Sequence, residues 1–162
     1  GIGKGLAVDR AIELCRAAGS AFGSVELGGD LRVYGSPWYG DRWTIGMADP
    51  FDPAVDLATF APTEGAVTTS TVLKRRWFDG LGWRHHLLDP ATGWPGTTDL
   101  VTVATCSSEA WWAEVVAKTA LLAGSDDVVG VLEQLGTPGL AVTASGQILR
   151  TAPSDRAEVV AA

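Results

Sequence analysis

The pattern of apolar and polar residues predicts three helices in this chain. The first mixes apolar and charged residues at helical spacing and ends at Gly19, because a glycine after the last periodic residue commonly terminates a helix. The second is apolar on nearly all sides, which indicates burial on more than one side, and Ser107 or Ser108 is expected to cap it. The predicted helices cover residues 6–18, 109–123 and, after a cap at 125–127, a segment that ends at 135.

Alternating apolar and polar residues predict strands between these helices. Two such runs flank Gly28, Gly29 and Asp30, and a Gly-Gly turn between alternating runs is typical of a hairpin. The run at 43–48 is expected to add a third strand to that hairpin, whereas 74–83 is expected to be a basic, aromatic connection. The predicted strands are 22–27, 31–35, 43–48, 57–61, 66–69, 100–106, 140–144 and 147–151.

This order of elements predicts an α+β fold in which antiparallel meanders pack against helices, because the strands form hairpins and do not alternate regularly with helices. The 162 residues, 46% hydrophobic and 19% charged, suit one compact domain. We expect that domain to span residues 1–152 and a frayed tail to follow it at 153–162.

The charge distribution narrows the classes of partner. The net charge is −7 and the basic residues are scattered, apart from the cluster at 74–76, so no nucleic-acid partner is expected.

No apolar run approaches the roughly 18 residues of a membrane span. Cys15 and Cys106 form neither a metal-binding spacing nor a disulfide framework. Because the chain does not begin with methionine, we expect it to come from a longer protein, with any export signal or lipid anchor lying before Gly1.

Both histidines of the chain lie in one short segment with an acid and a hydroxyl. His85 and His86 are followed by Asp89 and Thr92 in a stretch rich in turn-forming residues. Histidine titrates near neutrality, so this segment can move protons or hold a phosphate. The structural alternative is a strand that runs into a turn, in which Asp89 caps the turn and His86 fills a gap.

Three further groups are candidates for anion binding. Lys4 lies in a glycine cluster ahead of the first helix, where free N–H groups favour an anion, although the cluster lacks the spacing of a phosphate-binding loop. The hydroxyls at 68–71 can bind phosphate oxygens or satisfy an edge strand. Glu114 and Lys118 lie four apart on the buried helix, either as an ion pair or with Glu114 facing a ligand. The seven tryptophans are expected mostly in the core, with some free to stack on a flat ring.

Four segments, taken in order, resemble signatures of the ApbE family, flavin transferases that move FMN from FAD onto a threonine or serine of a target protein. Residues 1–9 are similar to the family's GGIAKGYAVD and residues 27–35 to its LGGDIRVYG. Residues 66–70 resemble its AVATSG, and residues 86–93 resemble its HIIDPRTG, the most specific of the set. The resemblance implies a T-fold-like α+β domain and covers the later half of a typical family member. Family members are often exported or membrane-anchored.

The resemblance also implies a reaction and a set of site residues. In the family, FAD lies along the protein, Mg²⁺ contacts its phosphates, and the acceptor hydroxyl attacks the FMN phosphorus while AMP leaves. His86 is implied as the proton acceptor or a phosphate ligand, with Asp89 of the catalytic set and Thr92 holding the loop. Glu114 and the Gly3 carbonyl are implied as metal ligands. The implied FAD-binding residues are Lys4, Asp9, Gly28, Gly29, Asp30, Ser70 and Thr92.

The sequence departs from the family pattern at the implied metal ligands. Glu114 and Lys118 occupy positions where the family's helix carries Asp and Thr, and an ammonium is no metal ligand. Lys118 therefore either repels the cation or supplies some of its charge to the phosphate. Thr119 points off the face of Glu114, since five residues do not complete whole helical turns. After Ser70, Thr71-Val72 replaces the family's Gly-Asp.

Two functions follow from the resemblance, and a third needs no flavin ligand. The first is transfer of FMN from FAD to a protein hydroxyl, and the alternative is an FAD-binding homologue that has lost transfer. The third is an interaction domain in which the glycine motifs are only turns.

Overall fold

The computed structural model describes residues 2–152 and 159–161. Three helices lie in this part of the chain: α1 (Gly3–Ala17), α2 (Ala110–Ala123) and α3 (Val128–Gln134). Its strands are β1 (Gly23–Leu27), β2 (Asp30–Tyr34), β3 (Ile45–Ala48), β4 (Asp56–Phe60), β5 (Gly65–Thr71), β6 (Arg76–Phe78), β7 (Trp83–His85), β8 (Leu100–Ser107), β9 (Gly139–Thr143), β10 (Ile148–Arg150) and β11 (Val159–Ala161). No helix among these residues is long and apolar enough to cross a bilayer.

The core lies on both faces of a six-stranded antiparallel sheet in the order β1-β2-β5-β8-β9-β10. Along β8 and β9, successive side chains alternate between two apolar clusters, as the pleat requires. One cluster packs under α2 and α3, and the other packs against a small sheet in the order β11-β4-β3. The predicted α+β class is confirmed. The fully buried residues of α2 lie on one face, and α1 and α3 cover its flanks, so the helix is covered on more than one side as predicted.

Two strand predictions are wrong. The strand at 43–48 does not extend the first hairpin: β3 pairs with β4 in the small sheet, and β5 pairs with β2 in its place. The segment at 74–83 is a connection only in part, because β6 pairs with β7 in a hairpin whose turn is held by Asp79 accepting the N–H groups of Leu81 and Gly82. The strand β6 has no buried residue, so it lacks the alternation that reveals a half-buried strand.

The start of α2 also differs from the prediction. Neither Ser107 nor Ser108 caps the helix, and Glu109, which occupies the N-cap position, makes no side-chain capping bond. Instead, Asp9 of α1 accepts the N–H groups of Ala110 at 3.0 Å and Trp111 at 2.9 Å. A carboxylate at these free N–H groups satisfies two donors and suits the positive end of the helix dipole.

The tryptophans are less buried than expected. None of the seven is fully buried, and Trp38, Trp83 and Trp94 are the most exposed. The prediction that most of them lie in the core is therefore wrong.

Most of the predicted tail lies outside the described residues, namely 153–158 and 162, and so does Gly1 at the other end of the chain. The tail residues 159–161 form β11, which pairs with β4.

Candidate functional site

Residues far apart in sequence converge on one open cleft of about 430 Å³ beside the start of α1 and the middle of α2. We call it the basic cleft. Six of the predicted site residues lie on its wall together: Gly3, Lys4, Gly28, Ser70, His86 and Glu114. Its lining residues are Gly3, Lys4, Gly28, Thr69, Ser70, Thr71, Lys74, Arg75, His86, Leu87, Glu114 and Lys118.

The basic cleft is positively charged in an acidic protein. The sequence contains three lysines, Lys4, Lys74 and Lys118, and all three line this cleft together with Arg75, whereas Glu114 is the one carboxylate among the lining residues. The whole chain carries a net charge of −7. Concentrating every lysine of an acidic chain at one concave surface favours an anionic ligand there.

Lys4 and Lys118 are held in place by two buried carboxylates. The Lys4 ammonium pairs with Asp30, which is only 1% exposed, and its Nζ lies 3.7 Å from Glu114 Oε1. Lys118 Nζ lies 2.7 Å from the same Glu114 oxygen, and the Gly5 N–H donates to Glu114 Oε2 at 2.9 Å. The predicted ion pair of Glu114 with Lys118 is thus present, and it positions one ammonium at the cleft surface.

The pKa values of Asp30 and Glu114 are shifted in opposite directions. Burial raises the pKa of Asp30, and the hydrogen bond and charge of Lys4 only partly oppose it. Burial also acts to raise the pKa of Glu114, but the hydrogen bonds from Lys118 and the Gly5 N–H, with the charge of Lys4, lower it overall. Glu114 is therefore the carboxylate that stays ionised most firmly.

His86 lies on the exposed rim of the basic cleft, and His85 does not line it. Partial desolvation, and then the positive charge of Arg75, hold the pKa of His86 below the ordinary value of 6.5. The imidazole is consequently neutral near pH 7 and able to accept a proton. His85 faces a different hollow, and its Nδ1 accepts the Leu87 N–H at 3.3 Å.

Asp89 and Thr92 shape the turn after His86. The Asp89 carboxylate accepts the Ala91 N–H at 2.8 Å and the Thr92 hydroxyl at 3.2 Å, and the Asp89 carbonyl accepts the Gly93 N–H. Neither residue lines the basic cleft, although Asp89 and His86 share an adjoining hollow. The structure thus gives Asp89 the capping place of the structural alternative, while His86 faces the cleft.

The remaining predicted residues divide between the cleft and the scaffold. Gly28 and Ser70 line the cleft, and Gly28 adopts a positive φ of 57° in the turn between β1 and β2. Gly29 lines the next pocket instead. Asp9 lines neither: besides capping α2, it accepts from Arg32 Nη1 at 2.5 Å and is 7% exposed. Its place in the structure is that of a scaffold residue.

Sequence reasoning did not assign Lys74 and Arg75 to the site. Both lie in the connection after β5 and line the basic cleft. Arg75 has a φ of 52°, the one positive value among the described non-glycine residues, and such strained backbone is concentrated at functional sites. The available signal was the basic cluster at 74–76, which stands out in a chain with scattered cations.

An apolar pocket of about 350 Å³ adjoins the basic cleft and shares Thr69, Thr71 and Lys74 with it. Its other walls come mainly from β3 and the residues after it, with Leu31 and Val67 beside them, and the carboxylates of Glu26 and Asp49 also line it. A cationic cleft that opens into an apolar pocket suits a ligand with a charged middle and a flat hydrophobic end.

The residues at Glu114 do not fit the Mg²⁺ that the family resemblance implies. Mg²⁺ bound to Glu114 Oε1 at about 2.1 Å would lie at most about 4.8 Å from Lys118 Nζ, given their 2.7 Å contact. Repulsion between these charges is about 7 kcal/mol at an effective dielectric constant of about 20. The Gly3 backbone lines the cleft, but Mg²⁺ at Glu114 would have to displace the Lys118 ammonium.

Comparison with known proteins agrees with this fold. Residues 1–143 match the sequence profile of the ApbE family. The chain is 31% identical over 162 residues to the FAD:protein FMN transferase of Rhodobacter capsulatus, covering 98% of this chain and 30% of the relative. It is 26% identical over 149 residues to the enzyme of that name from Treponema pallidum, covering 86% of this chain and 40% of the relative.

A solved structure extends the likeness to three dimensions. The crystal structure of the ApbE protein of Thermotoga maritima matches with a TM-score of 0.83 and 31% identity, over 93% of this chain and 49% of that chain. The chain therefore spans half or less of the proteins it matches. On this profile match and structural likeness, the chain belongs to the ApbE family.

Proposed function

We propose that the protein carrying this chain is an FAD:protein FMN transferase. The observation that carries the proposal is the convergence of Lys4, Lys74, Lys118 and Arg75 with His86 on one cleft that opens into an apolar pocket. The pyrophosphate of FAD would lie among the cations and one of its ring systems in the pocket. The names of the relatives support the same substrate.

The proposed reaction is a single displacement at phosphorus. The hydroxyl oxygen of the acceptor Thr or Ser bonds to the FMN phosphorus, the bond from that phosphorus to the bridging oxygen breaks, and AMP leaves with that oxygen. The hydroxyl proton passes to the neutral imidazole of His86. The cations of the cleft offset the negative charge on the phosphoryl oxygens, which is the main requirement of phosphoryl transfer. Lys118 contacts the implied metal ligand Glu114, so the proposed reaction uses the cations of the protein.

The test mixes the protein with FAD and an acceptor protein that carries the target threonine. We expect covalent flavin fluorescence on the acceptor after denaturing electrophoresis, with release of one AMP per flavin. The His86→Ala variant should lose about 10²-fold or more in transfer rate, the usual contribution of a general base, while keeping most of its FAD affinity. An unchanged transfer rate would remove His86 from the mechanism.

A second candidate function is FAD binding without transfer, which the pairing of Lys118 with Glu114 at an implied metal site favours. Bound FAD that stays intact in the same assay supports this candidate. If neither FAD nor FMN raises the melting temperature, both flavin functions fail and an interaction domain remains, since a ligand that binds only the native state must stabilise it.

A further inference from the structure

The ammonium of Lys118 contacts the Glu114 carboxylate on the wall of the basic cleft. Its Nζ is 2.7 Å from Glu114 Oε1, while its side chain keeps 22% of its surface exposed on the cleft wall. Glu114 itself is nearly buried, so it cannot turn away from Lys118 towards solvent. The contact with Glu114 therefore holds the Lys118 ammonium on the cleft wall.

The charges around the cleft match a dinucleotide pyrophosphate without added metal. Lys4, Lys74, Arg75 and Lys118 supply four positive charges, and the carboxylates that contact them, on Glu114 and Asp30, supply two negative ones, leaving two positive charges. The pyrophosphate of a dinucleotide carries one negative charge on each of its two phosphates. A divalent cation would leave the complex with an excess of positive charge.

A second carboxylate for a metal is also missing on β5 and the residues after it. The Thr71 hydroxyl donates to the Val101 carbonyl at 2.8 Å and accepts the Leu73 N–H at 3.1 Å, so it is engaged with backbone groups. Val72 packs among apolar side chains. Mg²⁺ prefers carboxylate oxygens, and neither Thr71 nor Val72 offers one to the cleft.

We propose that this cleft binds the pyrophosphate of its ligand through ammonium groups, with Lys118 taking the place of the divalent cation. The proposal rests on the proposed FAD site, and it states how that site neutralises its substrate. Binding is then independent of Mg²⁺, and Lys118 is the residue on which that independence depends.

The experiment measures the dissociation constant of FAD by calorimetry in EDTA and again in millimolar Mg²⁺. For the unaltered protein we expect the two values to agree within about threefold, less than the roughly tenfold that a 1.4 kcal/mol interaction produces. The Lys118→Thr variant should bind FAD about tenfold or more weakly in EDTA, as expected when a charged hydrogen bond to a phosphate oxygen is lost. Mg²⁺ should restore much of that loss, because Glu114 is then free to bind it.

The Arg10→Gln variant is the matched control, since it removes an exposed cation on α1 outside the cleft. If Lys118→Thr unfolds, the double variant Glu114→Gln with Lys118→Met removes the pair without leaving a buried charge, and the glutamine oxygen still accepts the Gly5 N–H. It should lose FAD affinity in EDTA and gain none from Mg²⁺.

Each outcome decides the matter. FAD that binds the unaltered protein about tenfold more tightly in Mg²⁺ than in EDTA overturns this inference and leaves the proposed function standing. Unchanged affinity of the Lys118 variants in EDTA also overturns it. Absence of FAD binding in both buffers overturns the inference and the proposed function together.

Discussion

Replacing Asp9 with alanine tests whether this residue belongs to the scaffold or to the ligand site. In the structure its carboxylate bonds to the N–H groups of Ala110 and Trp111 and to the Arg32 guanidinium. All of these contacts are lost together in Asp9→Ala. The variant leaves two free donors at the start of α2 and an unpaired guanidinium whose Nε already lacks a hydrogen-bond partner.

The expected loss of stability is large. Removing a helix cap costs about 1–2 kcal/mol, and removing one partner of a buried ion pair costs about 3–5 kcal/mol. The two effects share the same carboxylate, so we expect a total of about 3–5 kcal/mol. For a chain of this size, that loss lowers the melting temperature by roughly 10 °C.

Urea denaturation followed by circular dichroism measures this loss, with FAD affinity measured on the same samples. The control is Glu13→Ala on the same helix, which removes an exposed ion pair with Arg10 and should change stability by less than about 0.5 kcal/mol. Asp9→Asn keeps an oxygen for one N–H group and should fall between the two. If Asp9→Ala loses less than about 1 kcal/mol but binds FAD poorly, Asp9 is a ligand residue and the scaffold role is wrong.

Two further predictions test the packing of α1 and the electrostatics of the cleft. Gly5→Ala should destabilise the protein by about 1–3 kcal/mol despite the better helix propensity of alanine, because its Cβ would lie 2.6 Å from the Trp111 backbone. Gly130→Ala is the control: its Cβ meets no atom within 4 Å on the exposed side of α3, so it should be neutral or stabilising. If urea denaturation gives the two variants equal changes in stability, the packing described for Gly5 is wrong. In the ligand-free protein, the NMR titration of His86 should have its midpoint below 6.5. Since the folded-state pKa is depressed, the contribution of His86 to stability is present above pH 6.5 and is lost as the pH falls through the folded pKa; a midpoint at or above 6.5 would refute the electrostatics described for the cleft.

The pattern of apolar and polar residues was sufficient to predict those elements that depend only on residues close together in sequence. The helices were predicted to within a few residues, because helical periodicity and a terminating glycine are local signals. The β1-β2 hairpin was predicted for the same reason, since the two residues between its strands set the pairing. The β9-β10 hairpin was predicted as well, although four residues rather than two separate its strands. The ion pair of Glu114 with Lys118 also follows from spacing along one helix.

The pairing of distant segments was decided by tertiary structure. Nothing in residues 43–48 distinguishes β2 from β4 as a partner, because alternation reveals a strand but not its neighbour. The cap of α2 by Asp9 joins residues about a hundred positions apart, so no window of sequence contains it.

The candidate site divides along the same line. Short motifs in the sequence pointed to Lys4, Ser70 and His86 and to a family that transfers a phosphoryl group, because a motif depends on residue types that lie close together in sequence. That Lys74 joins the other lysines on one surface was visible only in the fold, since β5 must first pair with β2 and β8 before its end lies beside α2. The sequence by itself determined the local elements and the family, and the tertiary structure decided which charges lie together in the cleft, because charges act through distances in space.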